Sequence, residues 1–321
     1  MLTVLMATRN GSRTLTSVLE CFTHLQTPSS GWKLVVVDNG STDRTREIIQ
    51  SFQTVLRLTY IFEGNPGKNA ALNTGLAHVD GDLVVFTDDD VFPRPDWLIQ
   101  FRKTADSHQP YSMFGGAILP RWEVPPAPWA AWVPPAPVFT LTDPRLREGP
   151  IDPGLIYGPN MAVRAKVFNA GTCFDPSIGP RGADYPMGSE SELLERLKRQ
   201  GQKAWHAQEA VVEHFIRDHQ MDKSWILKRA IRFGRGQLRL LRASNPEAVS
   251  RWFGVPPRFF LRMIKRLMRI TAAWLKSDDQ RMLVARWELN YLWGHVVEAR
   301  LLRRQHYVQG DCFQGNTKEA Q

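Results

Sequence analysis

A parallel, helix-covered α/β sheet of nucleotide-binding type is the fold class this sequence predicts, and three observations lead there. Short apolar runs alternate with helical patterns through the first hundred residues. The runs at 34–38 and 83–86 are apolar on both faces, as strands buried between helix layers are. The run at 83–86 leads through Thr87 into three consecutive aspartates, Asp88, Asp89 and Asp90, and the carboxyl ends of strands are where ligand sites of such sheets lie.

The elements follow in order. Residues 2–7 read as a strand and 13–25 as a helix, with Leu15, Val18, Leu19 and Phe22 on one face. Residues 34–38 form a second strand, closed by the turn Asn39-Gly40-Ser41-Thr42, which feeds a helix through Ile48. Residues 56–62 make a third strand, 68–77 a helix and 83–86 a fourth strand. The pattern then breaks. Residues 120–153 hold ten prolines with Trp122, Trp129 and Trp132, a composition that excludes regular helix and central strand. Such a loop is either an aromatic binding flap or a hydrophobic cover over the sheet. Beyond it come a strand running into 160–163, a glycine-rich stretch at 179–188, a helix at 190–199 capped by Gly201, and a short strand, 210–214, ending in His214.

Composition sets the class. At 321 residues, 43% hydrophobic and 23% charged, the chain is an ordinary globular protein. Its charge of +9 is uneven: residues 217–304 carry twenty Lys/Arg against seven Asp/Glu, an excess of +13, leaving the remainder mildly acidic. This predicts a catalytic body at 1–216, a basic helical extension at 217–304 that meets an anionic surface, and a flexible tail at 305–321. No secretory leader and no spanning apolar run are apparent, and Cys21, Cys173 and Cys312 lack zinc-like spacing, so reduced thiols in a cytoplasmic protein are expected.

Chemistry concentrates at the strand ends. Three adjacent carboxylates repel one another, and a hard cation such as Mn²⁺ or Mg²⁺ relieves this by taking one or two of them with water and phosphate oxygens. Thr8-Arg9-Asn10 ends the first strand, Asp38 the second, and Gly64-Asn65-Pro66-Gly67-Lys68-Asn69 opens the third helix. In a parallel sheet these ends converge on one rim, where a helix N-terminus with Lys68 favours an anion. Taken singly, Asp38 is also an ordinary turn acid and Lys68 an ordinary solvated lysine. Neither a dinucleotide fingerprint nor a P-loop is present.

These blocks resemble the family-2 inverting glycosyltransferases, which have the GT-A fold. The resembling residues are Ala7-Thr8-Arg9-Asn10, the run 36–43 around Asp38, Gly67-Lys68-Asn69 through Asn73, and the run 87–93 around Asp88-Asp89-Asp90. Gly158-Pro159-Asn160, Gly188-Ser189-Glu190 with the helix that follows, and Val212-Glu213-His214 complete the series across residues 2–216. The resemblance implies a nucleotide-sugar donor, most often a UDP-sugar, with Mn²⁺ or Mg²⁺ on its diphosphate. It implies that Asp38 faces the base, Thr8 and Asn10 lie along the nucleoside, Asp88 faces the ribose, and Asp89 and Lys68 belong to the donor site. Asp90 would be the metal ligand, and His214 would complete the metal shell or meet the diphosphate.

Inversion needs a base for the acceptor hydroxyl. The family's acidic pair is altered here to Ser189-Glu190, so Glu190 is assigned the role, with Asp184 and Glu192 as lesser candidates; Glu190 would otherwise be a helix first-turn acid. Ala7 stands where the family commonly has proline. Two other readings compete. A sugar-nucleotide pyrophosphorylase would need a longer basic loop after the first strand. A non-enzymatic adaptor would bind a membrane or acidic polymer through 217–304, but no nucleic-acid motif occurs there. Within that extension, the cations of 258–276 share one helical face opposite aromatic and aliphatic residues, which predicts peripheral contact with the cytosolic face of a membrane, suited to a saccharide or lipid-linked acceptor.

Overall fold

The computed structural model describes residues 1–182, 184–244 and 255–304. Its first half is the expected series: β1 (Leu2–Thr8), α1 (Leu15–Thr23), β2 (Trp32–Asp38), α2 (Thr45–Ser51), β3 (Leu58–Phe62), α3 (Lys68–Leu76) and β4 (Leu83–Asp88). β1 pairs in parallel with both β2 and β4, and β2 with β3. Alternation assigns the two faces. Leu2, Val4, Met6 and Val36 join one core cluster, while Leu5, Val35 and Val37 join the other. The register also places function: Thr8 lies opposite Asp38, and Ala7 opposite Asp88.

The second half comprises β5 (Val91–Pro93), α4 (Trp97–Ser107), β6 (Met113–Trp122), α5 (Pro135–Phe139), β7 (Gly149–Ile151), β8 (Met161–Arg164), α6 (Lys166–Asn169), α7 (Ser189–Arg199) and β9 (Ala204–Ile216). The sheet order is β3-β2-β1-β4-β8-β6-β9-β5, with β7 also on β9. β8 runs antiparallel to β4 and β6, β6 runs parallel to β9, and β5 and β7 are antiparallel to β9. The sheet is therefore mixed, with its parallel part in the first half.

Several expectations need correction. His214 does not end a five-residue strand but lies two residues inside the thirteen-residue β9, which starts at Ala204. The residues before β8 are 3₁₀ turns rather than strand, because Pro153 and Pro159 set the turn at each start. The proline-rich stretch holds α5 and the edge strand β7. Helix is possible there because Pro135 sits at the first position of α5, where no N–H is needed. Trp129 and Phe139 are buried in the main core, so this part of the stretch is a cover over the sheet. β6 and α4 escape sequence reading, since Gly115, Gly116 and Pro120 interrupt one pattern and Arg102 lies on the buried face of the other. Asn160 is a structural pin: its amide donates to Ala117 O (2.9 Å) and Ala210 O (2.7 Å) and accepts from Trp97 Nε1 (2.8 Å).

After Ile216 the chain is helical: α8 (Lys223–Ser244), α9 (Pro257–Leu275) and α10 (Asp279–Arg304). Cys21 is a free thiol, but Cys173 is disulfide-bonded, which corrects the expectation of three reduced thiols; Cys312 and the expected tail at 305–321 lie outside the described residues. α8 and α10 approach so closely that a Cβ on Gly234 would sit 2.0 Å from Tyr291 O, and one on Gly294 2.2 Å from Ile231 O. The helices also bond to the body. Ile226, Leu227 and Leu283 join its main core cluster. Fully buried Glu298 accepts from Arg235 (2.7 Å) and Arg239 (2.6 Å), while Arg235 also pairs with Asp184 and Arg239 donates to Ser177 Oγ (2.8 Å). Removing one partner of a buried ion pair strands the other charge. Glu298→Ala is expected to cost about 3–5 kcal/mol in urea denaturation, with Glu47→Ala on the exposed Arg44 pair staying near wild type. Unchanged stability in Glu298→Ala would show that the network does not tie the helices down.

Candidate active site

The rim is assembled from strand ends. Asp38, 2% exposed at the end of β2, accepts from Ser41 N (2.9 Å) and from Tyr60 Oη (3.2 Å). Burial, then the Asp38 charge, raises the Tyr60 pKa and keeps it a donor. The turn geometry of an ordinary strand-end acid is thus present, with one carboxylate oxygen committed to it. Asn10, left-handed at φ +53°, accepts from Thr42 N (2.8 Å), and its own N–H donates to Ser41 Oγ (2.9 Å). Its side chain clasps the first rim turn to the second. Asn39 accepts from Gly67 N (2.7 Å) and donates to Asn65 O (2.7 Å), holding the loop that delivers Lys68.

Lys68 is the first residue of α3. Its Nζ lies 2.7 Å from Asp88 Oδ1 and 2.9 Å from Glu190 Oε1, and its side chain is 17% exposed. Burial opposes its charge, but the two carboxylates prevail and hold its pKa above the ordinary lysine value. The solvated-lysine reading is therefore corrected. Glu190 opens α7 after Gly188, so one ammonium joins β4 to α7. Of the other acids considered, Glu192 pairs with Arg196 (2.8 Å) and Asp184 with Arg235, both drawn away from this cluster. Asn69 and Asn73 donate to the backbone carbonyls of Asp175 and Phe174, so they hold the following loop rather than line the cleft.

Asp89 turns back under β1, where it accepts from the Thr8 hydroxyl. Burial, reinforced by the neighbouring Asp90 charge, pushes its carboxyl up to about 7 despite the Thr8 bond. Asp90 turns instead to His214 and Arg217. Its Oδ1 lies 3.7 Å from His214 Nε2 and its Oδ2 3.2 Å from Arg217 Nη2. The pairing of Val91 with His214 in the β5–β9 ladder brings the histidine there. His214 Nδ1 donates to Phe139 O (2.8 Å), so Nε2 is the ring nitrogen turned toward Asp90.

Phe139 is itself held from behind. The half-buried Arg229 donates to Pro137 O (2.9 Å) and Thr140 Oγ1 (3.1 Å), and desolvation lowers its pKa to about 10. Arg217, Arg229 and Tyr60 were not singled out from sequence, and Asn39 was read only as part of the turn that closes the second strand.

The donor set fits a hard divalent cation. Asp90 Oδ1 and His214 Nε2 are close enough for one ion to bridge, at bond lengths of about 2.1 Å. Among the described residues no group of three or more His, Cys, Asp or Glu could enclose a metal. Two protein ligands suit an ion whose remaining positions are filled by water and phosphate oxygens.

The model of the family described as "Glycosyl transferase family 2" matches residues 3–171. Glycosyltransferase AglE of Haloferax volcanii is 34% identical over 97 residues, 30% of this chain and 32% of that protein. The chain spans about a third or less of the length of the curated relatives it matches. The mannosyltransferase PcManGT of Pyrobaculum calidifontis, solved with GDP-Man and Mn²⁺, superposes with a TM-score of 0.62 at 18% identity, over 94% of this chain and 86% of that one. Residues 1–349 of S. aureus TarS, solved with UDP, give 0.53 at 14% identity, over 96% and 93%. At these identities the two structures establish the fold.

Asp90→Ala is expected to abolish Mn²⁺-dependent binding of a nucleoside diphosphate in calorimetry, with metal-independent binding retained. Mn²⁺ dependence equal to wild type would move the ion elsewhere.

Proposed function

The chain belongs to glycosyl transferase family 2, and from that premise we propose an inverting transfer of a sugar from a nucleotide-diphosphate donor, a UDP-sugar, to a hydroxyl of a saccharide or lipid-linked acceptor. The observation that carries the reading is the single ammonium of Lys68 held between Asp88 and Glu190 at the carboxyl rim of the sheet. It brings a carboxylate from the end of β4 and the helix-opening carboxylate of α7 within reach of one cation, which supports a donor side and a base side meeting at this rim. PcManGT was solved with GDP-Man and TarS with UDP, which supports a nucleoside diphosphate here.

In this reading Asp38, backed by Ser41 and Tyr60, accepts from the base, while Thr8 and Asn10 shape the wall along the nucleoside. Asp88 reaches the ribose, and Asp89 stays beneath Thr8 as support for that wall. Mn²⁺ or Mg²⁺ bound by Asp90 and His214 would supply positive charge against the donor diphosphate. Lys68 and Arg217 add cationic charge from the protein itself. Glu190 takes the acceptor proton as the hydroxyl oxygen bonds to the anomeric carbon. The bond from that carbon to the diphosphate oxygen breaks on the opposite face, and its electron pair leaves with the nucleotide. One displacement inverts the centre, with the proton left on Glu190.

The direct test is UDP release from a panel of UDP-sugars with Mn²⁺, after a thermal-shift screen for the donor. No nucleotide release with any sugar nucleotide and any acceptor hydroxyl would sink the reading. Glu190→Gln should keep donor affinity while transfer falls by about 100-fold or more, the scale of general-base catalysis. Transfer at the wild-type rate would return the role to Asp184 or Glu192. A steric version leaves the carboxylate in place chemically. A Cβ on Gly158 would lie 2.1 Å from Glu190 Oε1 and 2.5 Å from its Cγ, so Gly158→Ala should expel the side chain from its Lys68 contact. Transfer should drop by about tenfold or more with little change in donor affinity, since a misplaced base loses its near-attack geometry.

A further inference from the structure

α9 presents three faces, and only one of them is packed. Phe259 and Ala273 are buried, and Phe260 and Met263 rest on the cluster formed by Leu238, Val255, Leu292 and Val296. A second face, spanning about 140° at 100° per residue, carries the exposed apolar residues. These are Leu261 (63% exposed), Ile264 (54%), Leu267 (51%), Met268 (66%), Trp274 (69%) and Leu275 (72%). Other large exposed apolar side chains, such as Val55, Phe62 and Leu155, are scattered singly over the body, where they call for no explanation. A stripe along about four turns marks an interaction surface.

The third face decides the partner. Between Pro257 and Leu275 there is no acidic residue, and Arg258, Arg262, Lys265 and Arg269, with Lys276 just beyond, border the apolar stripe on one side. Arg266 and Arg269 pair with Glu288 of α10, but Arg258, Lys265 and Lys276 have no carboxylate partner among the described residues. A second copy docked through this face would set two acid-free cationic helices against each other. A bilayer with anionic headgroups accepts the apolar stripe in its acyl boundary and the cations at its phosphates. No helix among the described residues is long and apolar enough to cross a membrane, so contact of this kind lies in the plane. We propose that α9 is an in-plane anchor that binds the protein to an anionic lipid surface through Leu261, Ile264, Leu267, Met268, Trp274 and Leu275 with the bordering cations.

The test is co-sedimentation of the full chain with phosphatidylcholine vesicles, with or without ~30 mol% phosphatidylserine, at low salt and at ~0.5 M NaCl. Binding is expected with the anionic vesicles at low salt, and its loss without phosphatidylserine or at high salt. The triple variant Leu267→Glu, Met268→Glu, Leu275→Glu and the double variant Arg258→Glu, Lys265→Glu should each lower partitioning by about tenfold or more. Every substituted side chain is exposed, so their melting temperatures should match wild type. Sugar transfer to a free acceptor should also be unchanged, which separates this surface from the catalytic reading. Partitioning equal among all three proteins, or insensitive to phosphatidylserine and salt, overturns the proposal. So does a concentration-dependent dimer that the triple variant abolishes while vesicles go unbound, since that outcome gives the stripe to a second copy.

Discussion

One ammonium group organises the rim of this sheet. Asp88, at the end of β4, and Glu190, at the start of α7, lie about a hundred residues apart in sequence, and like charges so near each other would separate without a cation. Lys68 supplies that cation from the first turn of α3, 2.7 and 2.9 Å from the two carboxylates. Its own position is set by Asn39, which fixes the loop before α3, and its charge persists because the attraction of two partners outweighs the cost of burial. Strand register does the rest. With Thr8 opposite Asp38 and Ala7 opposite Asp88, the polar ends of three parallel strands arrive at one level.

A second chain of contacts runs outward from Asp90. Its carboxylate faces His214, whose other ring nitrogen is held by Phe139 O, and the end of α5 that presents Phe139 is held in turn by Arg229 from α8. α8 also carries Arg235 and Arg239, which meet Glu298 of α10 on one side and the glycine-rich loop before α7 on the other. The C-terminal helices therefore support both ends of the site, the Asp90 end and the loop leading to Glu190. Such supporting groups matter because a catalytic carboxylate displaced by about 1 Å loses much of its effect.

The same helices divide their labour by face. α8 and α10 spend their apolar surface on the body and on each other, through glycines that let the backbones touch. α9 spends only part of its surface in this way and leaves the remainder, apolar and cationic side by side, turned outward.

The fold of the first half was legible because its signals are local: runs such as 34–37 and 83–86 are apolar throughout, and α1 shows its face at the 3.6-residue period. The candidate site was legible as a set of residue types at strand ends, since parallel topology alone brings such ends together. The second half was harder, because β6 owes its strand geometry to pairing across the sheet, which overrides the glycines and proline in its path. Sequence by itself determined which acids, which lysine and which histidine could meet. Tertiary structure alone decided that Glu190 rather than Glu192 or Asp184 joins Lys68, that Arg217 and Arg229 serve Asp90 and the turn behind His214, and that the tryptophan-rich stretch covers the sheet at Trp129. Those outcomes depend on where separate elements dock and which charge lies within reach, and no local pattern encodes a distance between residues a hundred positions apart.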